Sequence, residues 1–91
     1  KVRIMHGENI MMMLVDIAPN ATVPTHTHGN EQAGRVLSGS FILIIDGKEY
    51  ILNEGDHYLI PSNVPHSAHG TTSSSLALDI FSPPREDYKK L

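Results

Sequence analysis

Ser40-Phe41-Ile42-Leu43-Ile44-Ile45-Asp46-Gly47-Lys48-Glu49-Tyr50-Ile51-Leu52 is the stretch that decides the fold class. Two runs rich in β-branched and aromatic residues flank an Asp-Gly pair. A two-residue hairpin turn needs positive φ at both central positions, and Asp-Gly supplies it at little steric cost. The stretch therefore predicts a β-hairpin. The same pattern continues outward on both sides. Asn53-Glu54-Gly55-Asp56 is a second turn, and His57-Tyr58-Leu59-Ile60 is a strand stopped by Pro61. Ser62-Asn63-Val64-Pro65 reads as a loop delivering His66, and Gly70 to Ser75 as a polar loop. Leu76 to Phe81 is a last strand, broken by Ser82-Pro83-Pro84, and a charged tail from Arg85 to Leu91 carries one helical turn.

Toward the N-terminus, residues 31–37 read as a strand, and residues 10–18 as a buried strand despite three methionines. Pro19-Asn20 is a turn signal, and Val2 to His6 is a short strand. Short strands, close-set turns and no amphipathic helix predict an all-β sandwich or barrel.

The chain has 91 residues, which sets the expectation of a single small domain spanning 1–91. It starts at Lys1 without an initiator methionine, as a trimmed chain or one lacking an N-terminal strand would. A core this small makes oligomerisation a reasonable source of extra stability. Net charge is −3 with both signs interspersed, which argues against nucleic-acid binding. Without cysteine there is no disulfide or thiolate site, and a cytoplasmic location is the default expectation. No apolar run reaches the length of a membrane span.

Histidine is the unusual component. Five of the six lie between positions 26 and 69. His26 and His28 stand two apart, so in a strand their rings share one face. Neutral imidazole is the commonest metal ligand near neutral pH. Gln32, four residues on, adds an amide oxygen.

PTHTHGNEQAGRVLSG, then 15 residues, then GDHYLIPSNVPHSAH resembles the two motifs of the cupin family. In the first motif His26, His28 and Gly39 match, Gln32 stands where the family has glutamate, and Asn20 stands for the opening glycine. In the second, Gly55, Pro61 and His66 match, and Asn63 and Gly70 replace a glycine and the terminal asparagine. Both asparagines tolerate positive φ. The resemblance implies a double-stranded β-helix, or jelly-roll barrel, commonly a homodimer. It implies one divalent transition metal (nickel, iron, manganese or zinc) on His26, His28, Gln32 and His66. A strand register slipped by one would turn Glu31 inward instead of Gln32. Three imidazoles and an amide leave a divalent ion its full charge, which suits Lewis-acid handling of an anion better than oxygen activation.

The stretch Leu78-Asp79-Ile80-Phe81-Ser82-Pro83-Pro84-Arg85-Glu86-Asp87-Tyr88, with Glu31-Gln32-Ala33-Gly34, is similar to the pectin-degradation cupins called KdgF. Those proteins convert 4,5-unsaturated monouronates to the linear 5-keto-4-deoxyuronate form, and their acting residues fall on Asp79, Phe81 and Arg85. The resemblance implies Asp79 as general acid/base, Arg85 as grip for the uronate carboxylate, and Phe81 as a sugar-packing face. By alternation Asp79 shares a face with Ala77 and Phe81, while Leu76, Leu78 and Ile80 make the better core face. Asp79 on that reckoning lines a pocket, against the alternative of a solvent-facing aspartate. A dioxygenase and a sensor-type sugar-binding module are the competing functional readings. Arg35 should face away from the metal, His57 and His69 support or decorate the site, and Tyr50 and Tyr58 pack. Met5 and Met11 to Met13 belong to core or dimer interface.

Overall fold

The computed structural model describes residues 2–89. Lys1 lies outside the described residues, as do Lys90 and Leu91 of the charged tail. Nine strands run in order: β1 (Val2–His6), β2 (Met11–Ile17), β3 (Thr22–His26), β4 (Glu31–Ser38), β5 (Ser40–Ile45), β6 (Lys48–Asn53), β7 (His57–Ile60), β8 (His66–Gly70) and β9 (Ser75–Ser82). They form two antiparallel sheets, β1-β2-β9-β4-β7 and β3-β8-β5-β6. Two such sheets closed over one interior are the jelly roll that the cupin resemblance implies. Among the described residues no helix is long and apolar enough to cross a membrane.

The Asp46-Gly47 hairpin forms as expected. Both residues have positive φ, 51° and 79°, and Ile45 pairs with Lys48 across the turn. Asn20 and Asn63 also take positive φ, 59° and 63°, where the cupin motifs carry glycine.

The interior is lined from both sheets. Val36, Phe41, Leu43, Leu52, Ile60 and Ala77 form one buried cluster, and Met11, Met13 and Phe81 a second nearer the site. On β9 the inner face is Ser75, Ala77, Asp79 and Phe81, all buried, whereas Leu76, Leu78 and Ile80 are half-buried on the outer face. This corrects the choice of core face made from hydrophobicity alone. The barrel interior serves as core and as pocket, so the face with the aspartate is the more deeply buried one.

Two strands differ from the sequence reading. Neither 22–26 nor 66–70 carries a strand signal of its own, yet β3 and β8 form there. Pro24 has no N–H to donate to a ladder. Accordingly the β3–β8 register shifts between Val23 and His26, a local irregularity that brings His26 opposite His66. β8, His-Ser-Ala-His-Gly, has no apolar alternation, but its ladder partners β3 and β5 hold it as a strand. The tail forms a single turn, with Arg85 O accepting from the N–H groups of Tyr88 and Lys89 at 3.1 and 3.2 Å.

Candidate metal centre and adjoining cavity

The three motif histidines converge. Ring nitrogens of His26, His28 and His66 all lie within 4.8 Å of one another. Each ring arrives by a different route. His26 closes β3 and His66 opens β8, directly opposite. His28 lies beyond the end of β3, so strand periodicity does not bring it to His26. Its segment is pinned instead: Asn63 N–H donates to His28 O at 2.9 Å, and the Asn30 amide donates to Pro83 O at 2.6 Å.

A second bond orients every ring. Nδ1 of His26 donates to Pro24 O at 2.9 Å, Nδ1 of His28 to Asn30 O at 3.0 Å, and Nδ1 of His66 to Val64 O at 2.9 Å. A carbonyl can only accept, so the proton sits on Nδ1 and the lone pair on Nε2. Burial first, and then the nearby Arg85 charge, hold His28 below its ordinary pKa. Burial likewise lowers His66, with the other two histidines adding to the effect. Both are therefore neutral at pH 7, the state a metal requires.

Gln32 is buried and Glu31 exposed, so the register turns the glutamine inward. Its Nε2 donates to Asp79 Oδ1 at 3.2 Å, which directs Oε1 toward His28 Nε2, also at 3.2 Å. With the His28 proton on Nδ1, two lone pairs face each other across that gap. Flipping the amide would instead set Oε1 against the Asp79 carboxylate. A bound cation relieves the first arrangement, so the residues present fit a divalent metal.

Beside the histidines lies a cavity of about 140 Å³, lined by His26, His66, Gln32, Tyr58, Asp79, Phe81 and Arg85 among apolar neighbours. Asp79 is buried, 8% exposed. Burial raises its pKa, and hydrogen bonds from Tyr58 and Gln32 with the Arg85 charge pull it partly back. Phe81 is fully buried and meets His28 edge-on, with centroids 5.8 Å apart. Arg85 stacks over Tyr88 at 4.0 Å and lies 5.4 Å from the centre of the Phe81 ring. It also forms a two-pronged pair with Asp87, Nε to Oδ1 at 3.3 Å and Nη2 to Oδ2 at 2.9 Å.

The structure thus places Asp79, Phe81 and Arg85 at one cavity with His26, Gln32 and His66, and His28 beside it. Arg35 and His57 are exposed and bond to one another at 3.0 Å, away from the cavity. Tyr50 is exposed. Tyr58 departs from the packing role expected of it, because its hydroxyl donates to Asp79 Oδ1 at 2.5 Å. Local alternation cannot reveal that contact, which depends on the register of three strands.

A cupin domain family model matches residues 13–81. The pectin degradation protein KdgF of Dickeya dadantii (strain 3937) is 34% identical over 83 residues, covering 90% of this chain and 76% of that protein. The structure of KdgF from Halomonas sp. superposes with a TM-score of 0.90 at 30% identity, covering 96% of this chain and 81% of the other. An RmlC-like cupin from Shewanella frigidimarina superposes with a TM-score of 0.90 at 27% identity, covering 96% and 78%.

Proposed function

This chain belongs to the cupin family and within it to the KdgF-type cupins, and from that premise we propose that it is a metal-dependent enzyme converting 4,5-unsaturated monouronates to linear 5-keto-4-deoxyuronates. One observation carries the proposal. A buried carboxylate (Asp79), an arginine (Arg85) and the histidine-bearing wall share one small cavity. An acidic monosaccharide needs a proton carrier, an anion grip and an electrophilic centre in just such proximity. The KdgF relative's name, a pectin degradation protein, supports the substrate class.

His26, His28, His66 and Gln32 would hold the ion. When bound, a divalent ion supplies a Lewis-acid centre that polarises substrate oxygens. The conversion is an isomerisation, so no atoms are gained or lost. The anomeric hydroxyl loses its proton, the bond from the anomeric carbon to the ring oxygen breaks to give an aldehyde, and the resulting enolate takes that proton on C4 to become the ketone. Asp79 carries that proton between the hydroxyl and C4 as general base and then acid. Its burial suits it to both tasks, since the raised pKa eases protonation. Arg85, whose Nε–Nη2 edge is held by Asp87, fixes the substrate carboxylate through its Nη1 end. Phe81 gives the sugar an apolar wall and, with Tyr88, keeps water from one side of the cavity. A homodimer in the cytoplasm is part of the reading; the apolar side chains of Val2, Met5, Ile10 and Met12 exposed on and beside β1 and β2 support the dimer.

The test is turnover. Metal-loaded protein is incubated with unsaturated galacturonate, and loss of the conjugated ultraviolet absorbance is followed beside a blank. Ring opening above the blank is expected, together with loss of bound metal and of turnover in His66→Ala. A rate equal to the blank with metal fully loaded would sink the proposal.

A further inference from the structure

Gly34 sits at the centre of a three-strand contact. In the β7-β4-β9 order it pairs with Tyr58 on one side and with Asp79 on the other. Any side chain on residue 34 would stand between them. A Cβ built there would lie 2.1 Å from Tyr58 Cζ and 2.4 Å from its hydroxyl oxygen. The missing side chain lets the Tyr58 ring lean over β4, with its hydroxyl on Asp79 Oδ1. Phe41 supports the ring edge-on at 5.9 Å from the other sheet.

Oδ1 therefore accepts from two donors, the Tyr58 hydroxyl and the Gln32 amide. Oδ2 has no hydrogen-bond partner among the described residues. The only sealed, unpartnered side-chain atom among them is Ser75 Oγ, so Oδ2 is open to the cavity that Asp79 lines. The carboxylate is held by one oxygen and presents the other.

We propose that Tyr58 is a positioning residue of the reaction, seated by Gly34, that clamps Asp79 through Oδ1 and so leaves Oδ2 as the oxygen that handles the substrate proton. This deepens the uronate reading and rests on it for the reaction. The clamp itself is a claim about this chain alone. Without the Tyr58 hydroxyl, Gln32 is the one remaining donor to Oδ1 among the described residues, and the carboxyl plane is free to rotate. A proton carrier that has lost its alignment slows the chemical step and leaves substrate affinity to Arg85 and Phe81.

The experiment compares wild type, Tyr58→Phe, Gly34→Ala and the exposed control Tyr50→Phe, all metal-loaded. For Tyr58→Phe, kcat falls roughly 10- to 100-fold while KM stays within about twofold. Metal content stays unchanged. Gly34→Ala lowers kcat with the hydroxyl still present, because its Cβ displaces the ring, and Tyr50→Phe changes nothing. Carbon-13 NMR of aspartate-labelled protein gives a readout that needs no turnover. The Asp79 carboxyl resonance, assigned by its loss in Asp79→Asn, shifts in Tyr58→Phe. Wild-type kcat in Tyr58→Phe, an unmoved Asp79 resonance, or unfolding or metal loss in that variant would overturn the clamp. Wild type inactive on the uronate, with the resonance shifted as expected, overturns the substrate reading and leaves the clamp standing.

Discussion

Replacing Asp79 in two ways separates its charge from its role as acceptor. Asp79→Asn and Asp79→Leu both remove the buried carboxylate. Asparagine keeps an oxygen where the Tyr58 hydroxyl and the Gln32 amide now donate, at 2.5 and 3.2 Å. Leucine has the same branched shape, with bulkier methyls, and no acceptor. It strands two donors in the cavity wall, at a cost of about 1–3 kcal/mol each. The two variants should therefore differ by roughly 2–6 kcal/mol. At about 4 °C or more per kcal/mol in a domain of this size, their melting temperatures should stand about 8 °C or more apart. Urea unfolding of the metal-stripped proteins measures the gap. The same proteins carry a pH signature. Burial raises the native Asp79 pKa above 3.8, so just above that pH the native carboxyl keeps a proton the unfolded chain has released. The native state then binds more protons, and wild-type stability falls as pH rises through the window, a slope absent in Asp79→Asn. Turnover should drop about 10²- to 10⁴-fold in both variants. Equal unfolding midpoints for Asn and Leu, or full turnover in the Asn variant, would refute the reasoning.

Two further outcomes follow from the same geometry. Arg85→Lys keeps the charge but loses the planar fork, so KM for the uronate should rise about tenfold or more in steady-state kinetics while bound metal is unchanged. Phe41→Ala empties a core site 3% exposed that supports the Tyr58 ring; denaturant unfolding should show a loss of about 3–5 kcal/mol.

Local chemistry made the fold legible where it acts over a few residues. Asp46-Gly47 encodes its own hairpin, and Pro61, with its fixed φ and no N–H to donate, ends the edge strand β7 at Ile60. The convergence of His26, His28 and His66 was legible through the two cupin motifs, whose spacings hold across the intervening residues. β3 and β8 were not, since Pro24 interrupts one and the other is made of small and polar residues; both are strands because their neighbours in the ladder require it. The face of β9 was misjudged because both faces are apolar enough to be core. Tyr58 escaped notice for a related reason. Its contact with Asp79 crosses an intervening strand through Gly34, and no window of sequence contains all three residues.

The three carbonyls that hold the histidine rings belong to Pro24, Asn30 and Val64, each two residues from the ring it orients. Each imidazole thus takes its alignment from its own segment, and Gln32 alone takes its alignment from the cavity wall, through Asp79. The wall at Asp79, Phe81 and Arg85 can be rebuilt for another substrate while the imidazoles stay aimed. A redesign of specificity can begin on β9 and its tail with the three histidines left aimed, provided Gln32 keeps an acceptor at position 79, and a transplant of the histidines needs short backbone pieces instead of a whole barrel's side chains.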